Sequence, residues 1–119
     1  MHRMHRDDAQ AFTTKDGSTI RVLVDARLGG AGNQSLAEAT LPPGKATTPH
    51  QHPVTEEIYY FLAGRGAMEV DGAQTMVEPG DAVLIPPGAM HQARADADEE
   101  LRFLCCCAPA YSDEDTVME

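Results

Sequence analysis

The sequence is poor in basic residues and has no long apolar run. Nine lysines and arginines stand against 19 aspartates and glutamates, which gives a formal net charge of -10 at pH 7. Such a surface repels phosphate backbones, and without a basic patch we expect no nucleic-acid partner. No apolar stretch approaches the roughly 20 residues of a membrane-spanning helix, and the polar first residues lack the apolar segment of a secretory signal. These absences predict a cytoplasmic protein with no membrane partner, whose charge serves solubility.

Cysteine is also scarce, and the three that occur are consecutive, at residues 105–107. Neighbours in a strand point to opposite faces, so a bridge between adjacent cysteines is geometrically poor. The absence of a disulfide framework fits a reducing compartment, and without C-x-x-C spacing we interpret these residues as small buried side chains. The charged Arg102 marks the outward face of residues 101–107. The predicted inward set is Leu101, Phe103, Cys105 and Cys107, which makes Cys105 a candidate pocket wall.

No part of the chain predicts a helix, except a single turn within residues 112–117. Turn-forming residues instead divide the chain into short stretches, which is typical of an all-β sandwich or barrel. The dipeptide Asp71-Gly72 predicts a hairpin because both residues tolerate positive φ. A length of 119 residues with no internal repeat predicts one domain. The predicted strands are residues 18–24, 35–41, 57–62, 68–70, 74–77, 82–85, a short strand at His91, and 101–107.

Three histidines and one glutamate are the most informative residues. His50 and His52 are two apart, so in an extended segment both imidazoles point the same way. Glu57 opens a predicted strand and offers a carboxylate oxygen, and His91 follows a turn that leads into another strand. Three nitrogens and one carboxylate that converge suit a divalent first-row metal. The alternative is that these are separate surface or core histidines.

Glycines and prolines at fixed distances surround these four residues. Gly44 stands six residues before His50 and Gly64 seven after Glu57, while the second stretch, residues 80–91, carries Gly80, Pro86 and Gly88 ahead of His91. The patterns G-x5-H-x-H-x4-E-x6-G and G-x5-P-x-G-x2-H resemble the two motifs of the cupin superfamily. The resemblance covers residues 36–107.

One position departs from those motifs, and two histidines lie outside them. The second motif often ends in asparagine four residues after its histidine, where this chain has Ala95. That asparagine is not a usual ligand, so the metal prediction is unaffected. His2 and His5 have no such framing, and we interpret both as ordinary surface or core residues.

The resemblance implies a fold and a metal site. The expected fold is an all-β, cupin-type double-stranded β-helix, or jelly-roll barrel, in a single domain of residues 1–119 with its core at 36–107. The N-terminal extension, residues 1–17, and the acidic tail, residues 111–119, carry no chemistry that we can interpret, and we expect them to pack over a partner or stay mobile. One divalent metal per chain is expected, with Fe or Mn favoured and Zn, Ni, Co or Cu also accepted. Its implied ligands are His50, His52, Glu57 and His91.

Strand alternation predicts a pocket and an outer face. If Glu57 points inward, the outward residues of its strand are Ile58, Tyr60 and Leu62, with Glu56 on the same outer side. An apolar outer face needs a cover. Because homodimers are common among the proteins that this chain resembles, we expect a second subunit there; the alternative is the second sheet of the same chain. The predicted pocket wall comprises Tyr59, Phe61, Met68, Val70, Phe103 and Cys105.

Three functions remain open, since one fold hosts many chemistries. With four protein ligands, a six-coordinate ion keeps two positions for water, oxygen or a chelating substrate. We favour a dioxygenase or decarboxylase acting on a small organic acid, diketone or phenol. The alternatives are an isomerase, epimerase or cyclase that uses the metal as a Lewis acid, and a non-catalytic module that binds a small molecule.

Overall fold

Two antiparallel sheets form the protein, as the computed structural model shows for all of residues 1–119. A short 3-10 helix, Arg6–Asp8, precedes the first strand, and no helix is long and apolar enough to cross a membrane. The all-β prediction is confirmed. The strands are β1 (Ala11–Thr13), β2 (Thr19–Val24), β3 (Ser35–Leu41), β4 (His50–Gln51), β5 (Glu56–Ala63), β6 (Gly66–Val70), β7 (Ala73–Val77), β8 (Ala82–Ile85), β9 (His91–Ala95), β10 (Leu101–Ala108) and β11 (Val117–Met118).

The strand order divides the chain between the sheets. The six-stranded sheet has the order β1-β2-β3-β10-β5-β8, and the five-stranded sheet the order β11-β4-β9-β6-β7. The predictions for β3 and β8 are correct to the residue, and the other predicted strands differ by one or two residues at their ends. Three observed strands are absent from the predicted set: β1 and β11, which lie outside residues 36–107, and the two-residue β4, for which the sequence suggested only an extended segment. The hairpin at Asp71 and Gly72 is confirmed, with φ values of 48° and 84°.

Alternation along β5 and β10 places the core between the sheets. Every second residue of each strand is buried, and these buried residues are the ones that the sequence predicts to point inward. The register sets Phe103 opposite Phe61 and Cys105 opposite Tyr59. Burying such side chains contributes roughly 1.5–3 kcal/mol each. All three cysteines are free, with Cys105 and Cys107 buried and Cys106 partly exposed. The core cluster also includes Ala39, Leu41, Met68, Val77, Ile85, Ala89, Ala93, Ala95 and Leu101.

Two glycines allow the connection between β5 and β6 to approach neighbouring backbone closely. A Cβ at Gly64 would collide with the carbonyl oxygen of Glu100, and Gly64 also has a φ of +79°. A Cβ at Gly66 would collide with the carbonyl oxygen of Arg94 on β9. Since these obstacles are backbone atoms, no side-chain rearrangement relieves them. The Gly64-Arg65-Gly66 connection is therefore restricted to glycine at both ends.

The outer face of the six-stranded sheet carries exposed apolar side chains. Ile58, Tyr60 and Leu62 on β5 are 41%, 43% and 36% exposed, and Leu84 on β8 is 55% exposed. Ile58 pairs directly with Leu84 across the two strands. The second sheet of the chain packs on the opposite face, so the alternative that it covers these residues is wrong.

Both terminal segments pack on the barrel of their own chain. The Arg6 guanidinium donates hydrogen bonds to the buried carboxylate of Glu38, the shortest of them 2.7 Å long. The tail contributes β11, which pairs with β4. The Nζ of Lys15 connects the two segments by donating to the carbonyl oxygens of Asp113 and Thr116.

Candidate metal centre

The four predicted ligands come together between the two sheets. His50 begins β4 and His91 begins β9, and the two residues pair directly across the five-stranded sheet. His52 lies just beyond β4, and Glu57 points inward from β5 of the other sheet. One ring nitrogen from each histidine lies within 4.8 Å of the other two. All four side chains are buried.

Glu57 approaches the histidine cluster from the opposite side. Its Oε1 lies 3.3 Å from Nε2 of His52 and 3.5 Å from Nε2 of His91. Its Oε2 accepts a hydrogen bond from the Sγ of Cys107, 3.1 Å away. The thiol therefore holds one carboxylate oxygen and leaves the other facing the imidazoles.

Hydrogen bonds to backbone carbonyls orient all three imidazoles. A carbonyl oxygen only accepts, so Nδ1 must carry the ring hydrogen in each bond. The lone pair of each neutral ring is then on Nε2, the atom that faces the cluster, and this is the arrangement that metal-binding histidines use. The bonds run from His50 to Thr48 (2.7 Å), from His52 to Asp115 (3.1 Å) and from His91 to Ala89 (2.9 Å).

Two buried polar atoms in the cluster have no hydrogen-bond partner. They are Nε2 of His91 and Oε1 of Glu57. A buried polar group without a partner is costly, and a cation between these atoms would satisfy both. Three imidazole nitrogens and a carboxylate oxygen are the donors that divalent first-row metals accept. The residues present therefore fit a divalent metal ion.

The ionisation of these groups in the metal-free protein follows from burial and mutual contact. Burial acts to raise the pKa of Glu57, but the close contacts with His52 and His91 and the hydrogen bond from Cys107 outweigh it and lower the pKa to about 2. Burial lowers the pKa of His50, and the neighbouring His91 lowers it further. Burial also acts to lower the pKa of His52, but the contact with Glu57 reverses the shift and raises it. The carboxylate is thus ionised at neutral pH, and protonation of His52, whose pKa is raised, opposes metal binding in acid.

A cavity beside the cluster has a mostly apolar wall. Of the predicted pocket residues, Tyr59, Phe103 and Cys105 line it, whereas Phe61 and Met68 lie in the core and do not reach it. Val70 packs against that core. Burial raises the pKa of Tyr59 and of Cys105, so both keep their protons. The remaining apolar lining comes from Phe12, Ile20, Val22, Ala37, Ala39, Cys107 and Tyr111.

The terminal segments supply site residues that the sequence did not predict. Asp16, in the turn between β1 and β2, lines the cavity with its Oδ2 3.6 Å from Nε2 of His50. The Tyr111 ring meets the His52 ring edge to face at 5.8 Å, and the Oγ1 of Thr116 lies 3.2 Å from Nδ1 of His52. The sequence allowed no chemistry to be interpreted for residues 1–17 and 111–119, and the structure places side chains from both segments beside the histidine cluster. The only available signal was the Asp16-Gly17 dipeptide, which predicts a turn but no site.

The charged groups of the cavity wall all have one sign. Asp16, Asp25 and Glu57 contribute carboxylates, and no lysine or arginine lines the cavity. His2 and His5 lie elsewhere and are exposed, as interpreted from the sequence. Without a bound cation, such a cavity disfavours anionic ligands.

Comparison with known proteins agrees with this geometry. Residues 37–107 match the cupin domain family. The protein MJ1618 of Methanocaldococcus jannaschii is 44% identical over 110 residues, which cover 92% of this chain and 88% of that protein. The solved structure of the polyketide cyclase RemF from Streptomyces resistomycificus has a TM-score of 0.81 at 29% identity, covering 97% of this chain and 89% of RemF. Quercetin 2,3-dioxygenase of Bacillus subtilis is 27% identical over 81 residues, 68% of this chain and 24% of that enzyme. The chain belongs to the cupin family.

Proposed function

We propose that this protein is a metal-dependent dioxygenase whose substrate is a small neutral phenol or diketone. The observation that carries the proposal is the cluster that fits a divalent metal, placed at the wall of an apolar cavity without a cationic side chain. The similarity to quercetin 2,3-dioxygenase supports it. We favour Fe or Mn, because oxygen chemistry requires a redox-active ion.

Side chains of this chain would hold the metal and also form the wall of the cavity. His50, His52, His91 and Glu57 would bind the ion, which supplies Lewis-acid and redox chemistry when bound. Tyr59 and Phe103, with ring centroids 4.6 Å apart, form an aromatic wall against which a planar substrate can pack.

The charge of the cavity narrows the substrate class. Small organic acids, diketones and phenols are all compatible with chelation, but the carboxylates of Asp16 and Asp25 repel a second anionic group. This favours neutral phenols and diketones, and it makes decarboxylation of an organic acid a weaker candidate.

A second candidate function is metal-assisted cyclisation. The similarity to the polyketide cyclase RemF supports it, and a diketone substrate would serve either reaction. In this reaction the metal acts only as a Lewis acid, so turnover needs no oxygen.

Oxygen dependence separates these candidates. Protein purified without added metal is analysed for its metal content and then assayed with a panel of phenols and diketones, with and without oxygen. Oxygen uptake with bound iron or manganese is the expected result. Turnover that persists without oxygen would favour cyclisation instead.

The same assay tests whether the site is catalytic. His52→Ala should lose both metal and turnover, and His5→Ala, an exposed histidine outside the site, is the matched control. Bound metal with no turnover on any compound would identify a non-catalytic binding module.

We further propose that the protein is a cytoplasmic homodimer that buries the apolar outer face of β5 and β8. The exposure of Ile58, Tyr60 and Leu84 supports a cover of matching apolar character. Leu84→Glu should shift the mass measured by light scattering from dimer to monomer. Met76→Glu, at an exposed site on the other sheet, should leave it unchanged; a monomeric wild-type protein would contradict the proposal.

A further inference from the structure

Asp16 is held rigidly at the cavity wall by one of its two carboxylate oxygens. Its Oδ1 accepts hydrogen bonds from the Oγ1 of Thr14 (2.8 Å), the backbone N–H of Ser18 (2.8 Å) and the Oγ of Ser18 (2.6 Å). Three donors on a single oxygen fix the orientation of the side chain. The carboxylate is 14% exposed, so it lies mostly within the protein.

The other oxygen, Oδ2, faces the metal centre without a hydrogen-bond donor. Its neighbour is Nε2 of His50, 3.6 Å away. The ring hydrogen of His50 is on Nδ1, where it is donated to the carbonyl oxygen of Thr48, so Nε2 has none to offer. Two acceptors therefore face one another. The metal that His50 would bind supplies a cation nearby, and a carboxylate oxygen has a further lone pair that can accept a hydrogen bond from a donor in the cavity.

An ion pair between Asp16 and a charged His50 does not account for this arrangement in the metal-loaded protein. A neutral imidazole that donates through Nδ1 and would bind a metal through Nε2 has no hydrogen on Nε2 to share with Asp16. The carboxylate also lies outside residues 37–107, so it is not part of the segment that matches the cupin domain.

We propose that Oδ2 of Asp16 accepts a hydrogen bond from a hydroxyl group of the substrate, next to the oxygens that chelate the metal. The inference rests on the proposed function and specifies its substrate class: neutral compounds with a hydroxyl beside the chelating oxygens. A methoxy group or a carboxylate at that position has no hydrogen to donate, so Asp16 disfavours both.

Asp16→Asn is the variant that tests this role. Asparagine keeps the Oδ1 acceptor, and with it the three bonds from Thr14 and Ser18, but replaces Oδ2 by a donor. The matched control is Asp25→Asn, since Asp25 also lines the cavity and also accepts from backbone N–H groups through its Oδ1. The two variants change the charge of the cavity equally, so a difference between them reports on Oδ2.

The probes are pyrogallol, which has a third hydroxyl beside a chelating pair, and 3-methoxycatechol, in which that hydroxyl is methylated. Binding to the metal-loaded full chain is titrated without oxygen. We expect wild-type protein and Asp25→Asn to bind pyrogallol about tenfold more tightly than 3-methoxycatechol. A difference of this size is expected for one hydrogen bond to a charged group. Asp16→Asn should lose this preference while keeping its metal and its circular dichroism spectrum.

Each remaining outcome overturns the inference in a distinguishable way. A preference that survives in Asp16→Asn shows that Oδ2 contacts no substrate hydroxyl. Loss of metal from Asp16→Asn shows that Asp16 is a metal ligand instead. If metal-loaded wild-type protein binds neither compound, the proposed function fails together with the inference.

Discussion

The barrel core, residues 37–107, and the two terminal segments contribute to one site by different means. The core supplies all four candidate ligands from strands that pair or face each other, such as His50 opposite His91. The terminal segments supply contacts around them: the Asp115 carbonyl accepts from His52, and Asp16 lies beside His50. The core thus determines whether a metal can bind, whereas the terminal segments influence how firmly a ligand is held and which compound fits.

The largest expected effect comes from the core itself. His52→Ala removes one of three imidazoles and should weaken metal binding by at least about 100-fold, because loss of an outer partner alone costs 10- to 100-fold. Competition with a chelator measures the affinity, and His5→Ala should match wild type. Unchanged metal occupancy in His52→Ala would show that this histidine is not a ligand.

Removal of residues 111–119 tests the contribution of the tail. His52 would lose its contacts with the Asp115 carbonyl and Thr116 Oγ1, and β4 would lose β11, one of its two partner strands. We expect metal affinity to fall by about 10- to 100-fold, measured by the same competition. Removal of residues 1–5, which do not contact the cluster, is the control. Equal affinities for the two truncated proteins would show that the tail does not strengthen metal binding.

A smaller effect is expected from Cys107, which donates to Glu57. Cys107→Ala should lower metal affinity by up to about tenfold, since it frees the second carboxylate oxygen. Cys107→Ser, which retains a donor, should recover most of the affinity. Cys106→Ala removes the adjacent outward-facing thiol and should leave metal affinity unchanged. If Cys106→Ala lowered metal affinity as much as Cys107→Ala, the cause would be a disturbance of β10 and not loss of the hydrogen bond to Glu57.

The smallest effect concerns the stability of the metal-free protein in acid. Contacts with the histidines lower the folded-state pKa of Glu57 from 4.5 to about 2, so its stabilising contribution is present above pH 4.5 and is lost as the pH falls through about 2. The Tm advantage of wild type over Glu57→Gln should therefore shrink across that range, as calorimetry would show. Glu56→Gln, at an exposed position, should follow wild type. A Tm difference between wild type and Glu57→Gln that does not change with pH would contradict the stabilising contact between Glu57 and the histidines.

Local rules were enough to predict much of the core. Alternation along β5 and β10 follows from the geometry of extended backbone, which is why the inward positions of Tyr59 and Cys105 could be predicted from their neighbours. The same rule could not distinguish inward residues that line the cavity from inward residues that pack in the core. Phe61 and Tyr59 share a face, but only Tyr59 reaches the cavity, because the depth of a residue between two sheets depends on what packs opposite.

By itself, the sequence determined the fold class, the inward faces of β5 and β10 and a candidate set of metal ligands. The faces follow from alternation along extended backbone, and the candidate set follows from motif spacing shared with the cupin family. The tertiary structure decided what surrounds them. Asp115 lies 63 residues from His52, and Asp16 lies far from His50 in sequence. No periodicity connects such pairs, since their contact follows from the way the terminal segments pack against the finished barrel.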